Sequence, residues 1–468
     1  MKKTKMMTAA RLAFWLLLGL VIYLLELPAH MGLDSVVFHV MGQMLLNGTG
    51  DLYADLFDHK GPLVYVINLF YEMHPVMEYV ILILFFMTVM ECAWRVVSMM
   101  TSSTFGRVLT VCVSVIYFAG TLEPYSTEEM SLPFSFISLW LAVRAVTTRD
   151  CRLSMGESLV IGVCFALSAL TRLNNCAPSA AVILFFISYG WWRNGLKNAL
   201  RISMLFLAGA LIILLPTVIY FGAKGTLGDM LYANVTFNIM YKMTWPHCVN
   251  HNINDWTVAT IYRLPIWFCL IVGLLRWRRA VGWLAVCLSA MSLLAVGFQL
   301  GYYYYFMVLL PCMVLAYSIL LYNITWRSIT VALVLTAMQL FYPTLKAFAK
   351  YRIDPVMSQR KVEYHHAVEA NKKLIDETIS VSDRDSVFLY MPQNQAIQAI
   401  LDLKITPYGK FFFLNDYLMA VDSRITDYQT EMFANRPPRW IVSADSIPFD
   451  GYTMAAEGDE MLIWRRNY

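Results

Sequence analysis

Up to about residue 350, long apolar runs alternate with short charged turns; beyond it, short apolar runs alternate with polar stretches of helical spacing. An α-helix needs roughly 17 to 25 apolar residues to cross a bilayer. Runs of that kind are read at 11–29, 76–98, 107–121, 130–147, 157–172, 177–192, 202–222, 258–275, 280–298, 303–322 and 328–345. They predict about eleven transmembrane helices. The interval 30–75 is too long and too patterned for a plain connector. Within it, Val36 to Leu46 has near-helical apolar spacing, and Leu63 to Tyr71 is apolar but too short to cross, so both suit helices lying in the membrane interface.

From about Tyr351 the pattern predicts a helix over 356–380, a strand over 386–391, a helix over 394–402 and a strand over 410–414. A helix over 416–434 and strands over 439–443 and 461–464 follow. This alternation argues for a small α/β domain. No G-x-G-x-x-G turn is present, which argues against dinucleotide binding there. No solenoid-period repeat or low-complexity tract interrupts the chain. The expected organisation is a transmembrane domain over 1–346 and a soluble domain over 347–468.

Hydrophobic residues make up 59% of the 468 positions and charged residues 15%. Soluble domains carry about a quarter charged residues, so the composition points to a polytopic α-helical membrane protein. The first run follows Lys2, Lys3 and Lys5, as a secretory signal would. Its one cleavage candidate, Leu27-Pro28-Ala29, puts leucine where a small residue is needed, so an uncleaved anchor is expected. With a cytoplasmic amino terminus, the inner turns receive Arg95 and Arg107; Arg144, Arg149 and Arg152; Arg193, Lys197 and Arg201; Arg276, Arg278 and Arg279; and Arg327. The outer turns then hold chiefly Lys60, Arg172, Lys224 and Lys242, and the odd span count leaves the carboxy terminus outside. The inner turns account for the net charge of +4, which gives no indication of nucleic acid binding. Nearly all of the nine cysteines lie in or beside apolar runs, and they read as buried hydrophobes rather than a disulfide or zinc framework.

Charged residues beside a membrane are costly unless they bind or react with something. The first outer loop reads Leu33-Asp34-Ser35-Val36-Val37-Phe38, then Asp51-Leu52-Tyr53-Ala54-Asp55-Leu56-Phe57-Asp58-His59-Lys60-Gly61-Pro62. A charge at the bilayer centre costs about 2.5 to 3.5 kcal/mol, which puts Asp34 at the outer interface. It can serve there as a general base toward an acceptor hydroxyl, or merely cap a helix starting at Ser35. In Asp58-His59-Lys60, the lysine suits a phosphate while Asp58 or His59 orients it or an acceptor. The plainer reading is a solvated turn whose ion pair is worth under about 1 kcal/mol.

Glu128 and Glu129 begin a span; they either stabilise the helix dipole or bind sugar hydroxyls or a catalytic partner. Arg172 runs against the basic-inside trend and suits bidentate phosphate binding, with snorkelling to headgroups as the alternative. Lys242 offers a further cation in the outer segment 223–257. The run Tyr302 to Tyr305 is an aromatic belt, or its hydroxyls, with Tyr304 the candidate, bind phosphate or sugar. His247, His251 and Asp255 have a spacing compatible with a metal site, but Pro246 and neighbouring asparagines suggest a loop, and no metal is expected there.

Taken together, the Asp34 segment, Asp55-Leu56-Phe57-Asp58-His59-Lys60-Gly61-Pro62-Leu63 and Thr127-Glu128-Glu129-Met130-Ser131-Leu132-Pro133-Phe134 resemble bacterial GT-C superfamily glycosyltransferases. The likeness is to the protein O-mannosyltransferase-like and aminoarabinose-transferase-like integral membrane enzymes, and it covers the whole plan of the chain. It implies a polyprenyl-phosphate-linked sugar donor and inverting transfer to a glycan, lipid or protein acceptor outside the cytoplasm, in the inner (plasma) membrane. The first-loop catalytic carboxylate of that family maps onto Asp34. Many members carry a second acidic residue directly after it; Ser35 stands here, which favours a reaction without a divalent metal or other cofactor. Lys60, Arg172 and Lys242 are the expected phosphate ligands, with Asp58, His59, Glu128, Glu129 and Tyr304 in support. This reading needs residues 34, 58–60, 128–129 and 172 to face one extracytoplasmic cavity. A transporter or flippase is the rival, although such proteins place charges at midplane and show repeats that this chain lacks.

Overall fold

The computed structural model describes residues 2–26, 33–248, 260–296, 303–323, 325–348, 355–390, 394–412, 416–444, 450–458 and 461–467. Contacts gather the chain into two compact units. One is built from Met1–Glu26, Tyr79–Thr217 and His251–Ile353, the other from Leu27–Glu78, Val218–Asn250 and Asp354–Tyr468.

The first unit is helical. Helices long and apolar enough to cross a bilayer lie at Met6–Leu24, Pro75–Met100, Thr104–Thr121, Thr127–Thr148, Leu173–Asn194, Leu196–Ala223 and Tyr303–Leu320. Shorter apolar helices at Met155–Ala169, Thr260–Leu275, Ala280–Val296 and Trp326–Met338 occupy the remaining runs read from the sequence. The chain is a multi-pass membrane protein. Helix Leu196–Ala223 shows why such a composition is needed, since Met204, Leu207, Ile212 and Leu215 are all exposed on its surface. Only a hydrocarbon solvent tolerates that face.

Polar groups set the helix ends. Ser103 and Ser126 accept the backbone N–H of Gly106 and Glu129, and Ser154 forms a reciprocal capping box with Glu157. Glu157 also pairs with Arg144 and with Arg149, the latter at 2.7 Å, and Glu91 holds Arg11 at 2.7 Å and Arg95 at 2.8 Å. Between apolar helices, close packing replaces the hydrophobic effect as the adhesive. Gly162 and Gly209 allow it: a Cβ on Gly162 would lie 2.1 Å from the Phe206 carbonyl oxygen, and one on Gly209 2.2 Å from that of Leu159. Tyr262 and Phe306 stack at 5.4 Å in a buried cluster with Ile266, Val296 and Leu309, and the Tyr117 hydroxyl donates to the Phe306 carbonyl at 3.0 Å.

In the second unit, helices Leu33–Asn47 and Pro62–Met73 correspond to the two short apolar patterns of the first loop. Gly61 is extended and Pro62 opens the second helix, as a Gly-Pro pair should. Gly42 lets the two helices touch, because a Cβ there would come within 2.7 Å of the Asn68 backbone. The carboxy-terminal part forms a four-stranded sheet of β1 (Val387–Tyr390), β2 (Trp440–Ser443), β3 (Tyr452–Gly458) and β4 (Met461–Arg466) in the order β1-β2-β4-β3. β1 and β2 are parallel; β4 runs antiparallel to both of its neighbours. Helices Pro355–Thr378, Asn394–Asp402 and Ser423–Asn435 accompany the sheet.

Three expectations are corrected, and one strand was not foreseen. Residues 410–412 form a turn and irregular chain rather than a strand, and residues 413–415 lie outside the described residues. Backbone groups there have other partners: the Lys410 N–H donates to the Tyr428 hydroxyl, and its carbonyl accepts the N–H of Phe57 at 2.7 Å. The single helix over 416–434 is broken at Asp422, whose carboxylate caps Ser423–Asn435. The edge strand β3, largely exposed, was not legible because it lacks a buried alternation. Residues up to Cys248, Pro246 included, extend a helix from Asn238 instead of a loop.

Candidate functional site

The loop joining the two short helices of the second unit folds back on itself. Tyr53 takes a left-handed φ of 67°, and its buried hydroxyl donates to the Lys60 carbonyl at 2.8 Å. Such a backbone conformation in a non-glycine residue costs about 1 kcal/mol or more and persists only where its surroundings impose it. From helix Pro62–Met73, the Tyr65 hydroxyl donates to Asp58 Oδ2 at 2.9 Å. The His59 backbone N–H donates to Asp58 Oδ1 at 2.7 Å.

The side chains then form a row. Asp58 Oδ1 is 3.2 Å from His59 Nδ1, His59 Nε2 is 3.1 Å from Lys60 Nζ, and Lys60 Nζ is 3.4 Å from Asp34 Oδ2. An ammonium only donates, so His59 Nε2 accepts and the ring proton sits on Nδ1, facing Asp58. Burial and the neighbouring Lys60 ammonium push the His59 pKa below its ordinary value, with Asp58 and Asp34 opposing them, which keeps the ring neutral. Burial alone would raise the pKa of Asp58. The Lys60 ammonium and the His59 ring and amide outweigh it and hold the carboxyl well below the usual range. The Lys60 side chain is 4% exposed, whereas that of Asp34 is 42% exposed. The cation is thus built in and the carboxylate at the end of the row is open.

Helix Leu33–Asn47 includes Asp34 in its first turn, so the expected cap position before a helix starting at Ser35 is not where Asp34 stands. The same helix carries Phe38, whose ring lies 5.7 Å beneath the Lys60 ammonium. The other wall of the row comes from a π-helical turn, Tyr232–Phe237, which runs into helix Asn238–Cys248. π-Helical turns shift the register of a helix and recur at functional sites. Here Asn238 Nδ2 donates to the His59 carbonyl at 2.7 Å, while Phe237 and Tyr241 pack on the His59 ring at 5.6 and 5.3 Å.

A second charged cluster belongs to the first unit. Glu128 is buried at the start of helix Thr127–Thr148 and accepts from Arg172 at 2.8 Å and from the Thr127 hydroxyl at 2.9 Å. The Arg172 guanidinium also lies 4.3 Å from the centre of the Tyr305 ring. Glu129 makes different contacts, since its carboxylate takes the Tyr23 hydroxyl and, at 3.0 Å, the Tyr125 backbone N–H. That ties the first helix to the turn before Thr127–Thr148. Tyr304 packs edge-on against Tyr303 and Tyr305, and the Tyr303 hydroxyl donates to Glu123.

Of the candidate residues, the structure therefore brings together Asp34, Asp58, His59 and Lys60 in one unit, and Glu128, Arg172 and the tyrosines around Tyr304 in the other. Lys242 falls within helix Asn238–Cys248, but its side chain and that of His247 lie outside the described residues, as do His251 and Asp255. Among the described residues, no three or more His, Cys, Asp or Glu side chains are grouped to hold a metal ion. Sequence reasoning missed Tyr53, Tyr65, Asn238 and Tyr241. Tyr65, three residues after the Gly-Pro turn, carried a readable signal; Asn238 did not, because its placement depends on the π-helical turn.

No family model and no curated protein sequence matches the chain. Solved structures do. ArnT from Cupriavidus metallidurans bound to undecaprenyl phosphate aligns with a TM-score of 0.55 at 10% identity, over 98% of this chain and 97% of its own. The Archaeoglobus fulgidus oligosaccharyltransferase in its apo form aligns with a TM-score of 0.56 at 11% identity, over 93% of this chain and 69% of its own. The fold is that of the GT-C glycosyltransferases. Because the ArnT alignment runs almost end to end, the GT-C likeness takes in the carboxy-terminal sheet as well as the membrane helices.

Proposed function

We propose that the chain moves a sugar from a polyprenyl-phosphate-linked donor to a hydroxyl of an extracytoplasmic acceptor, with inversion and with Asp34 as the base. The observation that carries this is the Lys60–Asp34 contact, a nearly buried ammonium 3.4 Å from an accessible carboxylate. Lys60 binds the donor phosphate. As it turns toward that phosphate its hold on Asp34 weakens, and the carboxylate is free to accept a proton. Asp34 takes the proton of the acceptor hydroxyl, the acceptor oxygen forms its bond to the anomeric carbon, and the bond from that carbon to the phosphate oxygen breaks. The electron pair leaves with the polyprenyl phosphate, whose added negative charge Lys60 stabilises. His59, neutral and fixed by Asp58, orients the ammonium through Nε2. No divalent metal has a step in this scheme, in keeping with Ser35 beside Asp34. The protein lies in the inner (plasma) membrane, and the basic turns of the membrane region support an orientation with the carboxy-terminal part outside the cytoplasm.

The reading draws support from the two solved GT-C structures, one of which is described as bound to undecaprenyl phosphate. Its test is an in vitro assay over a panel of polyprenyl-phosphate sugars. Wild type should consume one donor, and Asp34→Asn should lower kcat by at least about 100-fold while still binding donor, the scale of a lost general base. Donor turnover by Asp34→Asn equal to wild type, or wild type that binds a small solute and consumes no donor, would sink the proposal.

A further inference from the structure

A cleft of about 610 Å³ lies within the second unit, and neither Asp34 nor Lys60 lines it. Its walls are residues of the loop before Asp58, the segment 404–410 and the end of helix Ser423–Asn435. That volume falls in the range of small-molecule sites, about 300 to 1,000 Å³, and far exceeds what a single ion needs. The lining decides what it takes. Lys404 and Arg436 are exposed and have no ion partner among the described residues, while Asp385 faces the same space with acceptor oxygens. Arg384 and Lys410 also line it but are paired with Asp376 and Asp229, and Asp55, Thr406, Tyr408 and Tyr428 add further polar groups. A fatty chain finds too many polar groups there, and a polyanion meets acids as well as cations. Sugar hydroxyls both donate and accept, and the apolar face of a sugar ring packs on tyrosine, so a mixed lining of this kind suits a glycan.

Two features show that the wall is held in shape. Lys404 has a left-handed φ of 55°, a strained conformation for a lysine, and the Tyr408 hydroxyl donates to the Arg436 carbonyl at 3.0 Å. The cleft is also joined to the reactive loop. Phe57 binds Lys410 through the backbone, its ring lies 4.9 Å from that of Phe411, and Asp55 precedes Asp58 by three residues, a span of at most about 11 Å.

We propose that this cleft seats a short oligosaccharide, the non-reacting part of the acceptor, with Lys404 and Arg436 as its anchoring side chains. The proposal rests on the glycosyl-transfer reading for the word acceptor, and the experiment separates the two. Full-length protein in lipid nanodiscs is applied, without donor, to an array of immobilised di- to tetrasaccharides, some neutral and some bearing a carboxylate. Wild type is expected to retain a subset. The Lys404→Ala/Arg436→Ala double variant, and separately Ala54→Trp at the cleft wall, should weaken that binding at least tenfold with unchanged thermal unfolding. Where transfer is measurable, they should raise acceptor KM and leave donor KM unchanged. Glycan binding lost in the variants of a protein that transfers no sugar would support the cleft and end the enzyme reading. Wild type that retains no glycan, or variants that bind as wild type does, would overturn the cleft while leaving the chemistry of Asp34 to its own assay.

Discussion

Replacing Lys60 by methionine removes the ammonium while keeping most of the side-chain volume. The wild-type ammonium is 3.1 Å from His59 Nε2 and 3.4 Å from Asp34 Oδ2, and it is the leading influence that keeps buried Asp58 ionised. Its pair with the half-exposed Asp34 is worth under about 1 kcal/mol, so losing that contact alone should not unfold the protein. A hydrogen bond to a charged group is worth about 1.5 to 3 kcal/mol. At about 1.4 kcal/mol per factor of ten, losing it to the donor phosphate should weaken donor binding about 10- to 150-fold. The assay is equilibrium binding of a polyprenyl-phosphate sugar to detergent-purified wild type and Lys60→Met, with acceptor KM as the internal control. Acceptor KM should stay within about threefold, because the acceptor hydroxyl meets Asp34 rather than Lys60. A donor dissociation constant within twofold of wild type, in a variant with wild-type melting behaviour, would refute the assignment of Lys60 to the phosphate.

Three further outcomes can be checked on the purified protein. Glu128→Ala leaves the Arg172 guanidinium, 12% exposed, without its carboxylate, and should destabilise by about 3 to 5 kcal/mol in denaturant unfolding; replacing both residues by apolar ones should recover part of that loss. Gly162→Leu must push helices Met155–Ala169 and Leu196–Ala223 apart and should cost at least about 1 to 3 kcal/mol, whereas Gly156→Ala, with open space around its Cβ, should be neutral or mildly stabilising. The His59 pKa lies below its ordinary 6.5 in the folded protein, so the unfolded chain binds the proton first and stability should fall as pH drops from about 6.5 through the folded value. Melting midpoints between pH 7.5 and 5 should therefore decline more steeply for wild type than for His59→Gln; equal slopes would contradict a buried neutral ring.

Much of the fold was open to reading because a bilayer and a sheet each impose a local period. The membrane runs were visible as apolar lengths, since lipid leaves a helix no other way to satisfy its backbone. β1, β2 and β4 fall within about two residues of the predicted strands because each is a short buried β-prone run. The strand expected over 410–414 failed for a tertiary reason, because Phe57 and Tyr428 take the Lys410 backbone groups that a ladder would have used.

For the candidate site, the chain alone put Asp58, His59 and Lys60 side by side and marked Asp34 as a carboxylate near an interface. It could not say that Asp34 and Lys60 meet, which depends on two helices packed closely over Gly42, nor that Asn238 reaches back to the His59 carbonyl from a π-helical turn. Glu128 and Glu129 looked alike in sequence; packing gave one to Arg172 and the other to Tyr23. Local periodicity and residue chemistry determined which elements exist and which groups carry charge. Only the folded chain decided which charges touch, because those contacts join residues far apart along it and depend on shapes that no single segment contains.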